Sequence, residues 1–227
     1  YDVRTLTWVA RVSAEDKVVL TASGSPFTSI ADMAGSERPV IWGGTGKSDG
    51  NTDFSAILAF ATGMKAKIVL GYKGSPAINL SMESGETDAR VVSDESAALF
   101  VRAGKLRVVG TLARQRSEQF SGVPTVFQQS RLTAQGERML DWRAGVAALG
   151  RLIVSTPGVP SDRLSALRAA FKDVLADPEV IAEIRRRSLS PGYASGEQVA
   201  DMVAKAMTSL DDAALSLVRE VIGERYY

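Results

Sequence analysis

The chain has 227 residues, and its 27 basic and 26 acidic side chains leave a formal net charge of +1. A charge so close to zero gives no field that would draw nucleic acid or an acidic membrane surface. The sequence contains no cysteine and no histidine. This excludes cysteine nucleophiles, thiolate zinc sites and Ser-His-Asp triads built from this chain. No apolar run approaches the roughly 18 residues that a membrane-spanning helix needs.

Short apolar runs alternate with helical patterns through the first half of the chain, which indicates an α/β fold with parallel strands. Strands are predicted at 18–21, 39–42, 67–70, 89–92 and 106–109, and helices at 29–33, 77–84 and 95–103. A further helix carries an apolar stripe of Phe54, Ile57, Leu58 and Ala61 and stops at Gly63. Together these elements predict one compact, doubly wound unit.

The pattern changes in the second half, where a last strand at 152–154 is followed by helices alone. Helix starts are predicted at Ser161 as an N-cap, at Asp177 followed by Pro178, and at Ser195 with Gln198 as a capping box. A final helix is predicted over 210–221.

The glycine-rich turn at 43–48, which joins a strand to a helix, is the strongest local signal for a binding site. Backbone N–H groups in such a turn surround a small concavity. The positive end of the helix dipole faces the same space, so the turn favours an anion. Thr45 and Ser48 add hydroxyl donors, and Lys47 adds a full positive charge. The alternative interpretation is that the glycines only permit a tight turn with a polar cap.

The same turn can be compared with the phosphate-binding loop of nucleoside triphosphatases, which would make the protein a nucleotide- or phosphate-handling enzyme. That motif requires a glycine five residues before Gly46, and Ile41 occupies the position. The loop is also too short, because residues 40–42 are still predicted as strand. The enzyme is therefore the less favoured hypothesis, and no residue is a convincing base.

A second turn, at 71–76, is built in the same way on the next strand. Ser75 is predicted as the helix N-cap and Pro76 as the first helical residue. Tyr72 offers a ring and a hydroxyl that suit a small organic acid, although an ordinary aromatic residue at a strand end explains it equally well. Successive parallel strands end at one edge of a sheet, where open α/β sheets bind ligands, so both turns are expected at that edge.

Three acidic residues flank the strand at 89–92. Asp88 either orients a ligand group or caps a neighbouring backbone N–H, and the cap is favoured. Asp94 and Glu95 can be read as a pair of catalytic acids. Nothing supplies a partner at a defined spacing, and acids are common at helix N-termini. We therefore predict no catalytic pair.

A series of short motifs carries a family resemblance. The motifs are Ser-Pro-Phe at 25–27, Ile-Ala-Asp-Met at 30–33, Gly-Thr-Gly at 44–46, Gly-Tyr-Lys-Gly-Ser-Pro at 71–76, Gly-Glu-Thr-Asp at 85–88, Ala-Gly-Lys-Leu-Arg at 103–107, Val-Pro-Thr at 123–125, Thr-Pro-Gly-Val-Pro at 156–160 and Asp-Pro-Glu at 177–179. In their order and approximate spacing they resemble the substrate-binding receptors of tripartite tricarboxylate transporters. Each motif alone is weak, but together they cover nearly the whole chain.

The resemblance implies an α/β fold of the periplasmic-binding-protein type II, a Venus flytrap with two lobes of doubly wound sheet and crossover strands. Residues 1–17 are then a crossover strand and remnant of the first lobe, and 18–141 are the second α/β lobe. Residues 142–227 are the return crossover and the C-terminal helices of the first lobe. Crossovers are expected near 10–20 and 142–155, and the N-terminal part of the first lobe is expected to be missing from this chain.

The resemblance also implies a receptor rather than an enzyme. It would capture a small organic acid, either a di- or tricarboxylate or an aromatic carboxylate, between two lobes and deliver it to the membrane components of a secondary transporter. No cofactor, metal or nucleic acid is implied, and a monomer is expected. The chain opens with the polar stretch 1–4, so a periplasmic location would require export by a signal peptide absent from this chain.

The ligand-binding residues carried over by the resemblance are Thr45, Gly46, Lys47, Ser48, Tyr72, Gly74, Ser75 and Asp88. Lys47 stands where many members of the family have a small residue. It is expected either to pair with an extra ligand carboxylate or to extend into solvent.

Overall fold

The computed structural model describes residues 2–47 and 49–227. In it the chain forms two compact units. The smaller unit contains the residues up to Glu15 together with Gly145–Ser209, and the larger unit contains Asp16–Ala144 together with Leu210–Tyr227.

The chain passes between these units three times. Two passages fall within the regions expected for crossovers. The third, at 209–210, is not predicted, and it assigns residues 210–227 to the larger unit rather than to the other C-terminal helices. A backbone contact shows why, because the N–H of Ile68 donates to the carbonyl of Tyr226 at 2.7 Å.

The described residues form eight strands and ten α-helices. The strands are β1 Thr7–Ser13, β2 Lys17–Ala22, β3 Val40–Gly43, β4 Ala66–Val69, β5 Ala89–Ser93, β6 Leu106–Thr111, β7 Arg151–Ser155 and β8 Pro191–Ser195. The helices are α1 Ile30–Ala34, α2 Gly50–Thr62, α3 Ser75–Glu83, α4 Asp94–Phe100, α5 Val126–Gln129, α6 Ala134–Ala147, α7 Ser161–Val174, α8 Pro178–Arg186, α9 Gly196–Thr208 and α10 Asp212–Gly223.

Five strands form the sheet of the larger unit, in the order β4-β3-β5-β2-β6. β3 pairs in parallel with β4 and β5, whereas β2 lies antiparallel between β5 and β6. The prediction of parallel strands is therefore wrong for β2. Its Val18, Val19 and Leu20 are fully buried, and a strand covered on both faces shows the same continuous apolar run in either direction.

Helix α2 forms as predicted, because its apolar stripe is completely buried. The helix ends at Gly63, whose φ of 69° lies in the left-handed region that glycine adopts without strain. A second apolar cluster joins β2, β5 and β6 to α3 and α4, and it consists of Val18, Leu20, Met82, Val92, Ala97 and Leu106. This packing fixes the ends of the strands from which the candidate site is built.

The sheet of the smaller unit has the order β7-β1-β8, with both pairs antiparallel. β7 is predicted and β1 lies in the expected crossover, but β8 is not predicted. It begins with Pro191 and Gly192, which are typical of a turn. Arg11 of β1 donates to the carbonyl of Gly192 at 2.8 Å and holds this segment in the sheet.

Helix starts in the smaller unit follow side-chain capping, with one shift. The capping box of Ser195 and Gln198 and the N-cap at Asp177 are confirmed. Pro160 rather than Ser161 is the N-cap of α7, so that prediction is wrong by one residue. In this unit the N-caps with a hydroxyl or carboxylate side chain were therefore predicted correctly, and the error falls on the helix whose N-cap is a proline.

Helices α7 and α8 contain no buried residue. Leu167 and Val174 on α7 are 44% and 51% exposed, so the apolar side chains of that helix are only partly covered. The small core of this unit consists of Ala194, Val199 and Val203, with Val3, Trp8, Leu149 and Leu152 around them. Across the described ranges, every helix is too short or too polar to cross a bilayer.

Gly136 and Gly145 both lie in α6 and provide a matched pair for testing its packing. A Cβ on Gly136 would lie 2.2 Å from the Cα of Ala61, whereas nothing lies within 4 Å of that position on Gly145. We expect Gly136→Ala to lower the free energy of unfolding by about 1–3 kcal/mol through overpacking. Gly145→Ala should leave it unchanged or raise it by about 0.5 kcal/mol. Urea denaturation followed by circular dichroism measures both, and equal stability of the two variants would contradict the close contact.

Candidate functional site

The two glycine-rich turns leave the sheet side by side. β3 and β4 are parallel neighbours, with Gly43 opposite Val69 in the register. The N–H of Gly44 donates to the carbonyl of Val69 at 2.9 Å, which extends this pairing into the first turn. The prediction that both turns lie at the carboxyl edge of one sheet is confirmed.

The first turn already contains a carboxylate at the start of α2. Asp49 is the N-cap, and its Oδ1 accepts from the N–H of Asn51 at 3.1 Å. Its Oδ2 accepts from the hydroxyls of Thr45 at 2.9 Å and Thr52 at 3.3 Å. The predicted hydroxyl of Thr45 is therefore held by Asp49, and a second anion at the start of α2 would meet a like charge.

Backbone donors in the same turn are free of such competition. In the described ranges, no group accepts a hydrogen bond from the N–H of Thr45, Gly46 or Lys47. These three donors precede Asp49 in the chain. An anion at this turn would therefore be bound by backbone groups rather than by the Thr45 side chain.

The glycines of this turn have different physical roles. A Cβ on Gly43 would lie 2.7 Å from Ile78 Cγ2, and one on Gly44 would lie 2.5 Å from the Thr52 hydroxyl. Packing therefore requires both. Among the described residues, no atom lies within 4 Å of the position of a Cβ on Gly46, and the φ of Gly46 lies outside the left-handed region. Its missing side chain leaves open space beside the free N–H groups.

Lys47 does not contribute its charge to the turn. Its Nζ donates to the carbonyl of Gly223 at 2.6 Å and lies 4.7 Å from the ring centroid of Tyr227. Gly223 is the last residue of α10, where the helix dipole attracts a cation. The Lys47 side chain was expected to pair with a ligand carboxylate or to extend into solvent, and in the structure it contacts the end of α10 instead. Ser48, the fourth predicted residue of the turn, lies outside the described residues.

The second turn presents an uncapped helix start. Gly71 and Gly74 have φ values of 99° and 91°, which favour glycine. Gly74 is the N-cap of α3 and has no side chain to accept a hydrogen bond. Ser75 is the first residue of the helix, so its prediction as the N-cap is wrong by one position. Among the residues that the structure describes, none accepts from the N–H of Ser75 or Ala77.

Tyr72 is engaged within the protein. Its hydroxyl donates to Glu86 Oε1 at 2.8 Å. Burial raises the pKa of Tyr72, and the hydrogen bond to Glu86 acts in the same direction. The ring lies in the second turn as predicted, but the hydroxyl that would hold a ligand already has a partner.

Arg90 of β5 lies behind the second turn, and its role was not predicted. Only 3% of the residue is exposed. Its Nη2 donates to the Ser75 hydroxyl at 3.0 Å, and its Nη1 donates to the Ser75 carbonyl at 3.1 Å and to Asn79 Oδ1 at 3.0 Å. Burial lowers the pKa of Arg90 to about 10, so the guanidinium is charged at neutral pH. All three acceptors are neutral.

Asp88 lies at the other end of the strands, because it immediately precedes β5. It accepts two hydrogen bonds of 2.7 Å from Arg38 and one of 2.8 Å from the N–H of Ile41. The interpretation as a backbone cap, favoured from the sequence, is confirmed. The structure gives no support to Asp88 as a residue of the same site as the two turns.

A cavity of about 620 Å³ opens beside Asp88 at this amino-terminal edge of the sheet. Its charged walls are already paired, since Arg38 binds Asp88 and Lys105 lies 3.0 Å from Glu83. Because these charges compensate one another, we expect the cavity to attract an anion less strongly than the carboxyl edge of the sheet does.

Asp94 and Asp16 form a buried contact at the carboxyl edge. Asp94 Oδ2 accepts from the Ser117 hydroxyl at 2.6 Å, and its Oδ1 accepts from the N–H of Glu95 and of Asp16. Burial raises the pKa of Asp94. These local bonds agree with the non-catalytic interpretation. In residues 2–47 and 49–227, no three acidic side chains are grouped so that they could hold a metal ion.

Asp49 and Arg90 are the site residues that the sequence analysis missed. Asp49 directly precedes the first turn of α2, where an aspartate is a typical N-cap. Arg90 interrupts the apolar strand 89–92, and a charge inside a buried strand is itself a signal of a functional or structural role.

Asp16 should make stability depend on pH. Burial and the nearby Asp94 and Glu118 raise its pKa from the ordinary 3.8 to about 6, so the folded state binds a proton more tightly than the unfolded state. The resulting stability is present below pH 4 and is lost as the pH rises to about 6. We expect Asp16→Asn to be more stable than the wild type above pH 6, by about 1 kcal/mol after allowance for solvent screening.

Urea titrations at pH 4, 5, 6 and 7 measure this difference. Asp32→Asn is the contrasting control, since hydrogen bonds from Thr28 lower the pKa of Asp32. That variant should lose stability at neutral pH, and the loss should shrink in acid. A difference between Asp16→Asn and the wild type that does not change with pH would show that Asp16 has an ordinary pKa.

Lys47→Ala should loosen the end of α10. Removing the ammonium leaves the Gly223 carbonyl without its donor, and we expect the free energy of unfolding to fall by about 1 kcal/mol. Lys73→Ala is the control, because Lys73 is exposed and makes no hydrogen bond or ion pair with any described residue. Equal urea midpoints for the two variants would contradict a stabilising role for Lys47.

Comparisons with known proteins agree with this architecture. A solute-binding protein of the TctC type from Polaromonas is 19% identical, with a TM-score of 0.70 over 97% of this chain and 70% of that chain. A protein from R. palustris with adipate is 20% identical, with a TM-score of 0.68 over 98% and 71%. MatC from Rhodopseudomonas palustris with bound malate is 17% identical, with a TM-score of 0.61 over 96% and 69%. These likenesses confirm the predicted fold class, the type II periplasmic-binding fold.

No curated protein matches the chain. The model of one protein family, described as the tripartite tricarboxylate transporter family receptor, matches residues 1–212. The match covers most of the 227 residues and confirms the resemblance inferred from the motifs. The chain belongs to the tripartite tricarboxylate transporter receptor family.

Proposed function

We propose that this chain is an extracytoplasmic receptor that captures a small organic acid through its ionised carboxylate. The observation that carries the proposal is the uncapped start of α3, where the N–H groups of Ser75 and Ala77 lack acceptors among the described residues and a buried Arg90 lies behind them. The free N–H groups of 45–47 lie in the neighbouring turn. Preorganised backbone donors at a helix start are a favourable environment for a carboxylate.

Binding at this edge would be reversible and would involve no covalent step. Carboxylate oxygens would accept hydrogen bonds from the backbone donors of the two turns. The bound form would be recognised by membrane components of a secondary transporter, which would require differential affinity of the ligand for two conformations. No base, metal or nucleotide is needed for this activity.

The proposed ligand class follows from the donors and from the matched proteins. Adipate and malate, which accompany two of the similar structures, each carry two carboxylates. We infer a di- or tricarboxylate, or an aromatic carboxylate, as the ligand of this chain. The family assignment also supports a periplasmic location.

The enzyme alternative lacks support from the geometry. A triphosphate in the 43–48 turn would face the Asp49 carboxylate at the start of α2, and the lysine that a phosphate loop requires is bonded to Gly223 instead. Both contacts oppose the binding of a highly charged phosphate chain. We therefore propose no second function.

A thermal-shift titration tests the receptor directly. The panel would contain adipate, malate, citrate and benzoate, with Mg-ATP as the control. Binding to the folded state adds stability that grows with the logarithm of ligand concentration, by about 2.7 kcal/mol at one hundred times Kd. We expect the melting temperature to rise with the concentration of at least one acid and to stay unchanged with Mg-ATP. A rise in melting temperature with Mg-ATP alone would refute the proposed receptor function.

Gly46→Ala is the variant that tests the first turn. An added Cβ meets no atom of residues 2–47 and 49–227 within 4 Å, so we expect unchanged stability. It would occupy the open space beside the free N–H groups, and affinity for the acid should fall by about tenfold or more, because a displaced ligand loses hydrogen bonds to preorganised donors. Calorimetric titration measures Kd.

Gly24→Ala is the matched control for that experiment. Gly24 lies in the turn after β2, at the amino-terminal edge, and also has nothing within 4 Å of a Cβ. It should bind the acid as the wild type does. If Gly46→Ala and Gly24→Ala bind equally well, the first turn does not contact the ligand.

A further inference from the structure

Arg90 places a positive charge in the core of the larger unit with no carboxylate in direct contact, and the attraction of Asp49 offsets only part of the effect of burial on its pKa. In the described part of the chain no carboxylate lies within 4 Å of its guanidinium, and its Nε has no hydrogen-bond partner. Its side chain leaves β5 beside Leu20 and lies 5.8 Å from the ring centroid of Phe100. Leu20 belongs to the apolar cluster of that unit, and Phe100 packs against it. A buried charge of this kind is costly unless something compensates it.

The position of Arg90 increases that cost. Its guanidinium donates to Ser75, the first residue of α3, and the first turn of a helix carries a partial positive charge. No side chain caps α3. Two positive features therefore face each other, and an anion that contacts the first turn of α3 would relieve both at once.

We propose that Arg90 is a positioning residue that fixes the ligand carboxylate on the first turn of α3 and makes the receptor select ionised acids over their neutral analogues. The proposal rests on the receptor function above, and it specifies in addition which of the two turns binds the ligand carboxylate. The glycine-rich turn at 43–48 is followed directly by the Asp49 carboxylate, which makes it the weaker place for a second negative charge.

Ser75 connects Arg90 to the ligand. The Ser75 hydroxyl oxygen accepts from Arg90 Nη2, so its own hydrogen is left to donate. A hydroxyl that accepts from a cation is a stronger donor, because hydrogen bonds in a chain polarise one another. Arg90 therefore orients Ser75 and strengthens it without reaching the ligand itself. Ser75 is in this way kept as a ligand-binding residue, although it is not the helix cap.

Arg90→Met is the first test, because it removes the charge and keeps an apolar side chain of similar length. Replacing a buried ionic group by an apolar one is often neutral or stabilising. We expect the ligand-free variant to be as stable as the wild type or more stable, while its Kd for the acid rises by about tenfold or more. The methyl ester of the same acid, which lacks one charge, should lose less affinity than the acid. Thermal melts and calorimetric titrations measure these changes.

Asn79→Asp is an independent test, because it places a carboxylate of the protein itself in direct contact with Arg90. Asn79 Oδ1 already accepts from Arg90 Nη1 at 3.0 Å, and aspartate has nearly the same shape. We expect this variant to melt at a higher temperature without ligand and to bind the acid more weakly, because the internal carboxylate competes for Arg90. Gln135→Glu, which adds the same charge at an exposed position of α6, should change neither property.

The proposal predicts that stability is kept or rises while affinity falls, and this combination distinguishes it from a purely structural role of Arg90. If the role were purely structural, Arg90→Met would be less stable than the wild type, and its affinity would fall only in proportion to the unfolded fraction. Wild-type affinity for the acid in both Arg90→Met and Asn79→Asp would overturn the proposal. If Arg90→Met fails to fold, the result for Asn79→Asp decides between the two roles. Arg90→Lys should keep part of the preference for the acid over its ester. If the wild-type protein binds no acid of the panel, the receptor function itself is refuted, whatever the variants show.

Discussion

The parallel pairing of β3 with β4 is the constraint on which the candidate site depends. It brings two strand-to-helix connections out of the sheet at adjacent positions, so donors 30 residues apart in the chain share one edge. Close packing then fixes the path of the first connection, because Ile78 and Thr52 fill the space that side chains on Gly43 and Gly44 would need. The free N–H groups are therefore a consequence of core packing, and their positions are set before any ligand arrives.

Three helices start at this edge, and they differ in how their first N–H groups are satisfied. α2 uses the carboxylate of Asp49. α4 uses the Ser93 hydroxyl and carries two acidic residues in its first turn. α3 begins at a glycine and has a cation behind it. The starts of α2 and α4 thus carry carboxylates, whereas the start of α3 carries no acidic residue and has a cation behind it.

The sequence predicted those features that depend on local chemistry. Burial periodicity gave α2 and its end at Gly63, capping chemistry gave Asp177 and Ser195, and strand order placed the two turns together. It did not predict long-range partners. Lys47 contacts Gly223, far away in the chain, and Asp88 binds Arg38. Periodicity reports that a residue is buried or exposed, but it does not report which group lies opposite.

The direction of β2 and the environment of Arg90 were missed for a related reason. A strand covered on both faces has the same composition whether it runs parallel or antiparallel. Likewise, one arginine in an apolar strand does not reveal whether a carboxylate compensates it. Both properties are set by tertiary neighbours, and they become visible only when the sheet is assembled.

The contact between Ile68 and Tyr226 has a consequence for the order in which the larger sheet is completed. β4 is the edge strand of that sheet, and part of its free edge is bonded to Tyr226. That edge stays unpaired until the segment that contains Tyr226 has docked, and an exposed strand edge attracts other chains. A folding intermediate in which residues 210–227 have not yet joined the larger unit is therefore open to intermolecular pairing along β4.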